Sequence, residues 1–238
     1  EVDLGLEEKI EQTKDKTLKS IYQYIDSVTP TNKNEYTGYF KDKNLIFILA
    51  EGFNSIAVDK ELTPTLYKLT NSGFVFNNFY SPVFLSTTGG EFQAVTGLIP
   101  TQESLSLWKS KKPTIQYALG NAFNNIGYRT QAYHDWTHTY YKRQVTMKTL
   151  GYKTYIGCGN GLEKQINCGW LPYDTDMINA TTPKYLGQEG NFMTYYITVS
   201  GHSPYNSGSR PARKYIKEVT GDYSYAVKYY LASQMELD

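Results

Sequence analysis

Leu6, Ile10, Leu18, Ile21 and Ile25 recur at helical spacing among charged neighbours, which predicts an amphipathic helix over residues 6–25. Asp3 before it and Pro30 after it act as start and stop signals. A loop rich in Asn, Thr and Tyr leads to Asn44–Ala50 (NLIFILA), a continuous apolar run that predicts a buried parallel strand. Thr63–Thr70 reads as a capped helix with proline in its first turn, ended by Asn71-Ser72-Gly73. Phe74–Tyr80 alternates as a strand does. The polar knot Ser86-Thr-Thr-Gly-Gly90 opens a short helix through Val95. Thr114–Ile126 is predicted helical, and Tyr128–Tyr133 is a strand ending at His134. Helix is expected at Asp174–Asn179, strand at Phe192–Val199 just before His202, and helix again at Asp222–Leu237. Strands alternating with helices predict an α/β fold with a mostly parallel sheet and right-handed crossovers. No repeat or linker divides the chain, apart from an N-terminal helix and connector over residues 1–35.

Composition narrows this picture. Lys+Arg 24 against Asp+Glu 23 gives a net charge of +1, which argues against holding nucleic acid or an anionic membrane by bulk charge. With 40% hydrophobic and 20% charged residues, the 238-residue chain is globular rather than disordered. Tyrosine is the outlier, 23 against 10 Phe and 3 Trp. A ring that keeps a hydroxyl suits wet clefts and interfaces. Such a bias is also a habit of extracellular bacterial proteins. No apolar run approaches the ~20 residues that span a bilayer. Cys158 and Cys168, in CGNGLEKQINC, are too few for a structural zinc site. They read as a local disulfide, which places the protein outside the cytosol, or else as two free thiols. The start at Glu1 rather than Met is expected of an excised or processed piece.

In doubly wound sheets, sites lie beyond the carboxyl ends of the strands. Glu51 follows the first strand, Thr87 and Thr88 stand where a loop becomes a helix, and His134 and His202 end two further strands. Singly, each has a structural reading as a cap or a packed residue. Together, a carboxylate and a hydroxyl suit a hard divalent cation that turns the hydroxyl into a nucleophile. The helix N-terminus favours oxyanions. The histidines and Arg143 are suited to holding a phosphate and protonating a leaving group. Phosphoryl or sulfuryl transfer is the implied chemistry.

In this order and spacing, NLIFILAEGF (Asn44–Phe53), LTPTLYKLTNSGFVFNNFYS (Leu62–Ser81), STTGGEF (Ser86–Phe92), AYHDWTHTYYKR (Ala132–Arg143), GNGLE (Gly159–Glu163), YITVSGHSPY (Tyr196–Tyr205) and YLASQMELD (Tyr230–Asp238) resemble one known family. It is the alkaline phosphatase and sulfatase superfamily, in particular its lipoteichoic acid synthase and phosphoglycerol transferase branch. The likeness runs from about Tyr36 to the end of the chain, residues 36–238 forming the N-terminal portion of a sulfatase-like catalytic domain. It implies an alkaline-phosphatase-like, mostly parallel sheet with helices on both faces, the C-terminal part of which lies outside this chain. It makes Glu51 a metal ligand, and Thr87 both metal ligand and nucleophile, with Thr88 as the alternative one residue on. His134, Tyr141, Arg143 and His202 fall where relatives bind glycerol phosphate. Gln144 departs from the acidic residue frequent at that place. The implied cofactor is one Mn²⁺ (or Mg²⁺ or Zn²⁺).

The implied donor is a phosphatidylglycerol-type lipid, and the implied acceptor a glycerol phosphate polymer or a glycan. The expected location is the extracellular face of a bacterial membrane, through an upstream anchor. The family's Asp-His pair, which completes the metal site, is expected beyond Asp238, so residues 1–238 alone are expected to bind metal weakly and turn over little. A sulfatase, a phosphoethanolamine transferase and a non-catalytic wall-polymer-binding relative are the competing readings.

Overall fold

The computed structural model describes residues 4–81, 85–111 and 113–238. They form two compact units, one ending at Asp42 and one running from Lys43 to Asp238. The turns over 35–42, assigned from the sequence partly to the larger domain, group with the first unit. That unit holds two helices in place of the single one expected, α1 (Leu6–Gln12) and α2 (Lys16–Ser27). The break has a local cause. The Asp15 side chain accepts the Leu18 N–H at 3.0 Å, and this cap starts a new helix two residues after Thr13 turns extended. Asp3 lies outside the described residues, and Gly5, in the left-handed region, precedes α1.

The second unit is an α/β layer structure. Its elements are β1 (Leu45–Leu49), α3 (Pro64–Ser72), α4 (Ser86–Thr96), α5 (Gln102–Lys111), α6 (Leu119–Asn125) and β2 (Arg129–Thr137). They continue with α7 (Arg143–Thr149), β3 (Thr154–Cys158), α8 (Asp174–Thr181), β4 (Phe192–Ile197), α9 (Arg210–Tyr215) and α10 (Tyr225–Gln234). The four strands are parallel in the order β1-β4-β2-β3. The central β4 is buried along its whole length, as its unbroken run FMTYYI requires. Its odd-numbered residues Met193, Tyr195 and Ile197 join one core with Phe92, Val95, Trp108 and Met147 from α4, α5 and α7. Its even-numbered residues Phe192 and Tyr196 join a second core with Tyr133, Leu162 and Met177 of α8. Helices therefore cover both faces.

Several expectations change. β1 is parallel but is an edge strand. Leu45, Phe47 and Leu49 point to the core, while Ile46 and Ile48 are 49% and 44% exposed. Phe74–Tyr80 forms no strand, because Asn77 and Asn78 make a turn closed by Phe79 N–H to Phe76 C=O (3.3 Å). The helix expected over 114–126 shrinks to α6, the chain before it being tied down by the Ile115 N–H to Thr149 C=O bond (3.2 Å). β2 runs on past His134 to Thr137, so this histidine lies within the strand and pairs with Ile197.

Part of the tyrosine excess packs in the core. Tyr133 stacks on Tyr196 at 5.5 Å and Tyr152 on Tyr195 at 5.4 Å, all four buried. Such ring pairs add about 0.5–1.5 kcal/mol each beyond simple burial. The Tyr196 hydroxyl keeps its polar partners, Thr181 Oγ1 at 2.8 Å and the Tyr185 hydroxyl at 3.0 Å.

Candidate active site

The carboxyl ends of β1, β2 and β4 meet the first turn of α4 and the start of α7. One pocket forms there, and its lining includes Glu51, Thr87, His134, Tyr141, Arg143 and His202. The six residues assigned by the sequence to metal, nucleophile and phosphate are thus brought together from five separate segments.

Glu51 leaves β1 with its N–H on Thr198 Oγ1 (2.9 Å), which extends the β1–β4 pairing by one bond. The next residue, Gly52, has φ +64, and a Cβ there would lie 2.4 Å from the Gly201 carbonyl oxygen. Only glycine lets the Glu51 turn pack this tightly on the loop that carries His202. Ser86 also takes a left-handed backbone (φ 57), so the chain enters α4 through a sharp turn. Thr87 stands in the first turn of α4, where backbone N–H groups lack helical partners and the helix dipole is positive. Its hydroxyl lies 3.4 Å from Glu51 Oε2. Thr88 does not line the pocket: it is buried, with its hydroxyl 3.4 Å from Lys109 Nζ.

The phosphate-side residues are fixed by charge. Glu91, one helical turn after Thr87, is buried and receives Arg143 Nε and Nη2, each at 3.1 Å from Oε2. Arg143 is 1% exposed. Burial opposes its charge, but the Glu91 carboxylate overrides this and holds the guanidinium above its usual range. Arg143 Nη1 lies 3.2 Å from His134 Nε2, and His134 Nδ1 lies 3.0 Å from the Ile197 carbonyl. These partners assign the proton to Nδ1 and leave Nε2 as an acceptor. Burial, then the Arg143 charge, push the imidazole down to about 3. His134 is therefore neutral at physiological pH and orients Arg143.

Tyr141 has φ 53, and its ring lies 5.4 Å from the Arg143 guanidinium carbon and 5.2 Å from Lys109 Nζ. Lys109, on α5, is held below the usual lysine range by burial, with Glu91 and Tyr141 opposing that effect.

Residues 43–238 match the Sulfatase family. The chain belongs to that family. It is 26% identical over 217 residues to lipoteichoic acid synthase 1 of Bacillus subtilis, covering 86% of this chain and 34% of that protein. It is 23% identical over 197 residues to lipoteichoic acid synthase 2 of the same organism, covering 79% of this chain and 30% of the synthase. Among solved structures it resembles the lipoteichoic acid synthase LtaP from Listeria monocytogenes, with TM-score 0.71, 22% identity, and coverage of 90% of this chain and 54% of that one. It also resembles the phosphoglycerol transferase GacH of Streptococcus pyogenes in complex with sn-glycerol-1-phosphate, with TM-score 0.58, 16% identity, and coverage of 98% and 61%. The chain thus spans about a third of the length of the synthases it matches, and it has the alkaline-phosphatase-like fold that its motifs imply.

In this sulfatase-family domain, Glu51 and Thr87 offer a carboxylate and a hydroxyl 3.4 Å apart, hard oxygen donors that fit a divalent cation. Among the described residues no group of three or more His, Cys, Asp or Glu side chains surrounds such a site. The pair therefore fits a metal as two of its ligands.

Part of the lining was not read from the sequence. Trp170 touches His202 edge-on at 5.0 Å and Trp136 at 4.9 Å, and both tryptophans line the pocket. Cys158 and Cys168 are joined in a disulfide, which closes the loop just ahead of Trp170. The local hints of Glu91's role are its place in STTGGEF and its spacing of four from Thr87. Trp136 lies within AYHDWTHTYYKR on β2, which marks no role for it, whereas Trp170 and Lys109 lie in no quoted motif and are brought in by long-range packing. No helix among the described residues is long and apolar enough to cross a membrane.

Proposed function

We propose that this chain carries the nucleophile half of a metal-dependent phosphoglycerol transferase acting through a phosphoglycerol–threonine intermediate on Thr87. The observation that supports it best is a single one. The Thr87 hydroxyl and Glu51 carboxylate stand 3.4 Å apart at the N-terminus of α4, in the pocket where Arg143 presents a guanidinium anchored from behind by Glu91. The names of the relatives point the same way: two lipoteichoic acid synthases, and a phosphoglycerol transferase bound to glycerol phosphate.

A divalent cation held by Glu51 and Thr87, when bound, supplies the charge that makes the hydroxyl acidic. Arg143 holds the donor's phosphoryl oxygens, with His134 keeping its Nη1 in place and Tyr141 covering the guanidinium. The Thr87 hydroxyl releases its proton to solvent as Oγ attacks phosphorus, the bond from phosphorus to the diacylglycerol oxygen breaks, and that oxygen takes a proton from His202. An acceptor hydroxyl then gives its proton to His202 and attacks the same phosphorus, the bond from phosphorus to Thr87 Oγ breaks, and Oγ takes a proton back from solvent. The donor is a phosphatidylglycerol-type lipid, and the acceptor a glycerol phosphate chain or a glycan. The site works outside the cytosol, in keeping with the Cys158–Cys168 disulfide.

The test is to incubate the full-length protein with Mn²⁺ and headgroup-labelled phosphatidylglycerol and to map the label by mass spectrometry. Labelled phosphoglycerol on the peptide containing Thr87 is expected. Label from phosphatidylethanolamine or a sulfate ester, with none from phosphatidylglycerol, overturns the choice of donor.

A further inference from the structure

Behind the pocket lies a pair of carboxyl groups that the transfer chemistry does not use. Asp135 follows His134 on β2 and Asp174 opens α8, and both are completely buried. Asp174 is fully engaged. Its Oδ1 accepts the Val199 N–H at 2.8 Å, while Oδ2 accepts the Ser200 N–H at 3.2 Å and the Ser200 hydroxyl. Val199 and Ser200 are the last residues before the Gly201–His202 turn, so Asp174 is the anchor of the loop that carries His202.

Both Asp135 carboxyl oxygens are buried without a hydrogen-bond donor among the described residues, on a strand packed against α8, and Asp174 at the start of α8 is the neighbouring group that acts on them most strongly. The remaining charges around it are accounted for. Glu236, beyond α10, is bonded to Lys214 Nζ of α9 (2.8 Å), to the Thr175 N–H (3.3 Å) and to the Thr175 hydroxyl. Cys158 on β3 is tied up in the disulfide and does not titrate, and the His134 ring is committed to Ile197 and Arg143. Among the described residues no cationic side chain is paired with either aspartate.

Two carboxyl groups buried against each other with no cationic side chain paired to either cannot both be anionic, so one proton must be shared. Asp174 already receives donors on both oxygens and is the anion of the pair. Asp135 holds the proton and donates it to Asp174.

We propose that Asp135 and Asp174 form a proton-sharing pair that positions His202, tying the His134-bearing strand to the loop that presents His202. Asp135 is thus a positioning residue that touches no substrate. The importance of His202 to transfer rests on the reading above, whereas the shared proton does not. The electrostatics agree with the geometry. Burial first, then the Asp174 charge, raise Asp135 well above the usual carboxylate range, and burial raises Asp174 in spite of its hydrogen bonds. For a group raised in the folded state, the unfolded chain gives up the proton first, so the pair's contribution to stability falls as pH rises from the ordinary aspartate value towards the raised one. Once the proton is lost, the two anions repel and the His202 anchor loosens.

The experiment compares full-length wild type with Asp135→Asn, which keeps a donor towards Asp174 but has no proton to lose, and with Asp135→Ala. Infrared difference spectra at neutral pH are expected to show a buried protonated-carboxyl band in wild type that is missing from Asp135→Asn; identical spectra overturn the shared proton. The histidine NMR signal that His202→Asn removes is expected to shift at the pH where this band disappears, and to show no such step in Asp135→Asn. A His202 signal indifferent to that step overturns the positioning role. In transfer assays, Asp135→Ala is expected to lose at least tenfold in kcat, while Asp135→Asn stays within about threefold of wild type and loses less activity on the alkaline side. Equal losses in the two variants also overturn the proposal. If Asp135→Ala does not fold, or if no transfer from phosphatidylglycerol is found, the infrared and NMR comparisons still decide it.

Discussion

One part of the pocket lining consists of Arg143, Glu91 and His134, all buried, with the ion pair at 3.1 Å and the imidazole wedged between a guanidinium and a carbonyl. Another part consists of Trp136, Trp170 and His202, partly exposed, in edge-to-face contact, and closed off by a disulfide just upstream. In the first, low dielectric fixes charge states and removing one partner leaves an uncompensated charge. In the second, orientation comes from ring contacts that yield in small steps. The contrast separates buried groups locked by charge from partly exposed groups held by ring contacts at the pocket's edge.

Substitutions should follow that division, and Thr87→Ala, which touches the reaction itself, sets the upper limit. It is expected to abolish the labelled covalent adduct and lower donor turnover at least about 10³-fold without loss of folding, checked by mass spectrometry and circular dichroism. Arg143→Ala leaves Glu91 buried and unpaired, at a cost of about 3–5 kcal/mol read by denaturant unfolding. Arg143→Met with Glu91→Leu should restore much of that stability while donor turnover stays lost. Equal instability of the single and double variants would show that packing, not charge, holds this part. Replacing both cysteines with serine should cost about 2–3 kcal/mol and also raise KM, because Trp170 follows the closed loop.

The pH dependence of the buried part has a definite sign. His134 is pushed down to about 3 in the folded protein, so below its ordinary value near 6.5 only the unfolded chain takes up a proton. Stability is then lost as pH falls from about 6.5 towards 3, by up to about 1.4 kcal/mol per unit from this group. A His134→Gln variant should lose less over the same range, measured as the difference from wild type in unfolding midpoint. The smallest effect belongs to Trp170→Ala, which removes ring contacts of about 0.5–1.5 kcal/mol. A two- to tenfold rise in KM with kcat near wild type is expected, and a collapse of kcat would mean that the aromatic part also fixes the reacting groups.

The sequence was legible where function sits at strand ends and helix starts. Glu51 after an apolar run, Thr87 at the opening of α4 and His202 beyond β4 are all placed by local pattern, and the structure brings them to one pocket with His134 and Arg143. It was illegible where a role depends on a distant partner. Asp135 looks like any polar strand residue until Asp174 is packed on it, and Glu91 is ordinary until Arg143 reaches it from 52 positions away. Phe74–Tyr80 was misread for a similar reason, since alternation alone cannot tell an exposed turn from a paired strand. The tyrosine count did not show that Tyr133, Tyr152, Tyr195 and Tyr196 are stacked inside the sheet's cores.

The order β1-β4-β2-β3 also says something about how the site comes into being. β4 lies between β1 and β2, yet it is the last of the four strands in the chain, and its partner positions in β1 are about 148 residues earlier. During synthesis, Glu51 and His134 leave the ribosome with no common neighbour to align them. The edge that each of their strands offers the other is filled by Phe192–Ile197, far later in the chain. Pairing across so long a stretch of chain is slow and leaves apolar strands uncovered in the interval. Among the four described strands, Glu51 and His134 are thus brought into alignment only through β4, which pairs with both of their strands.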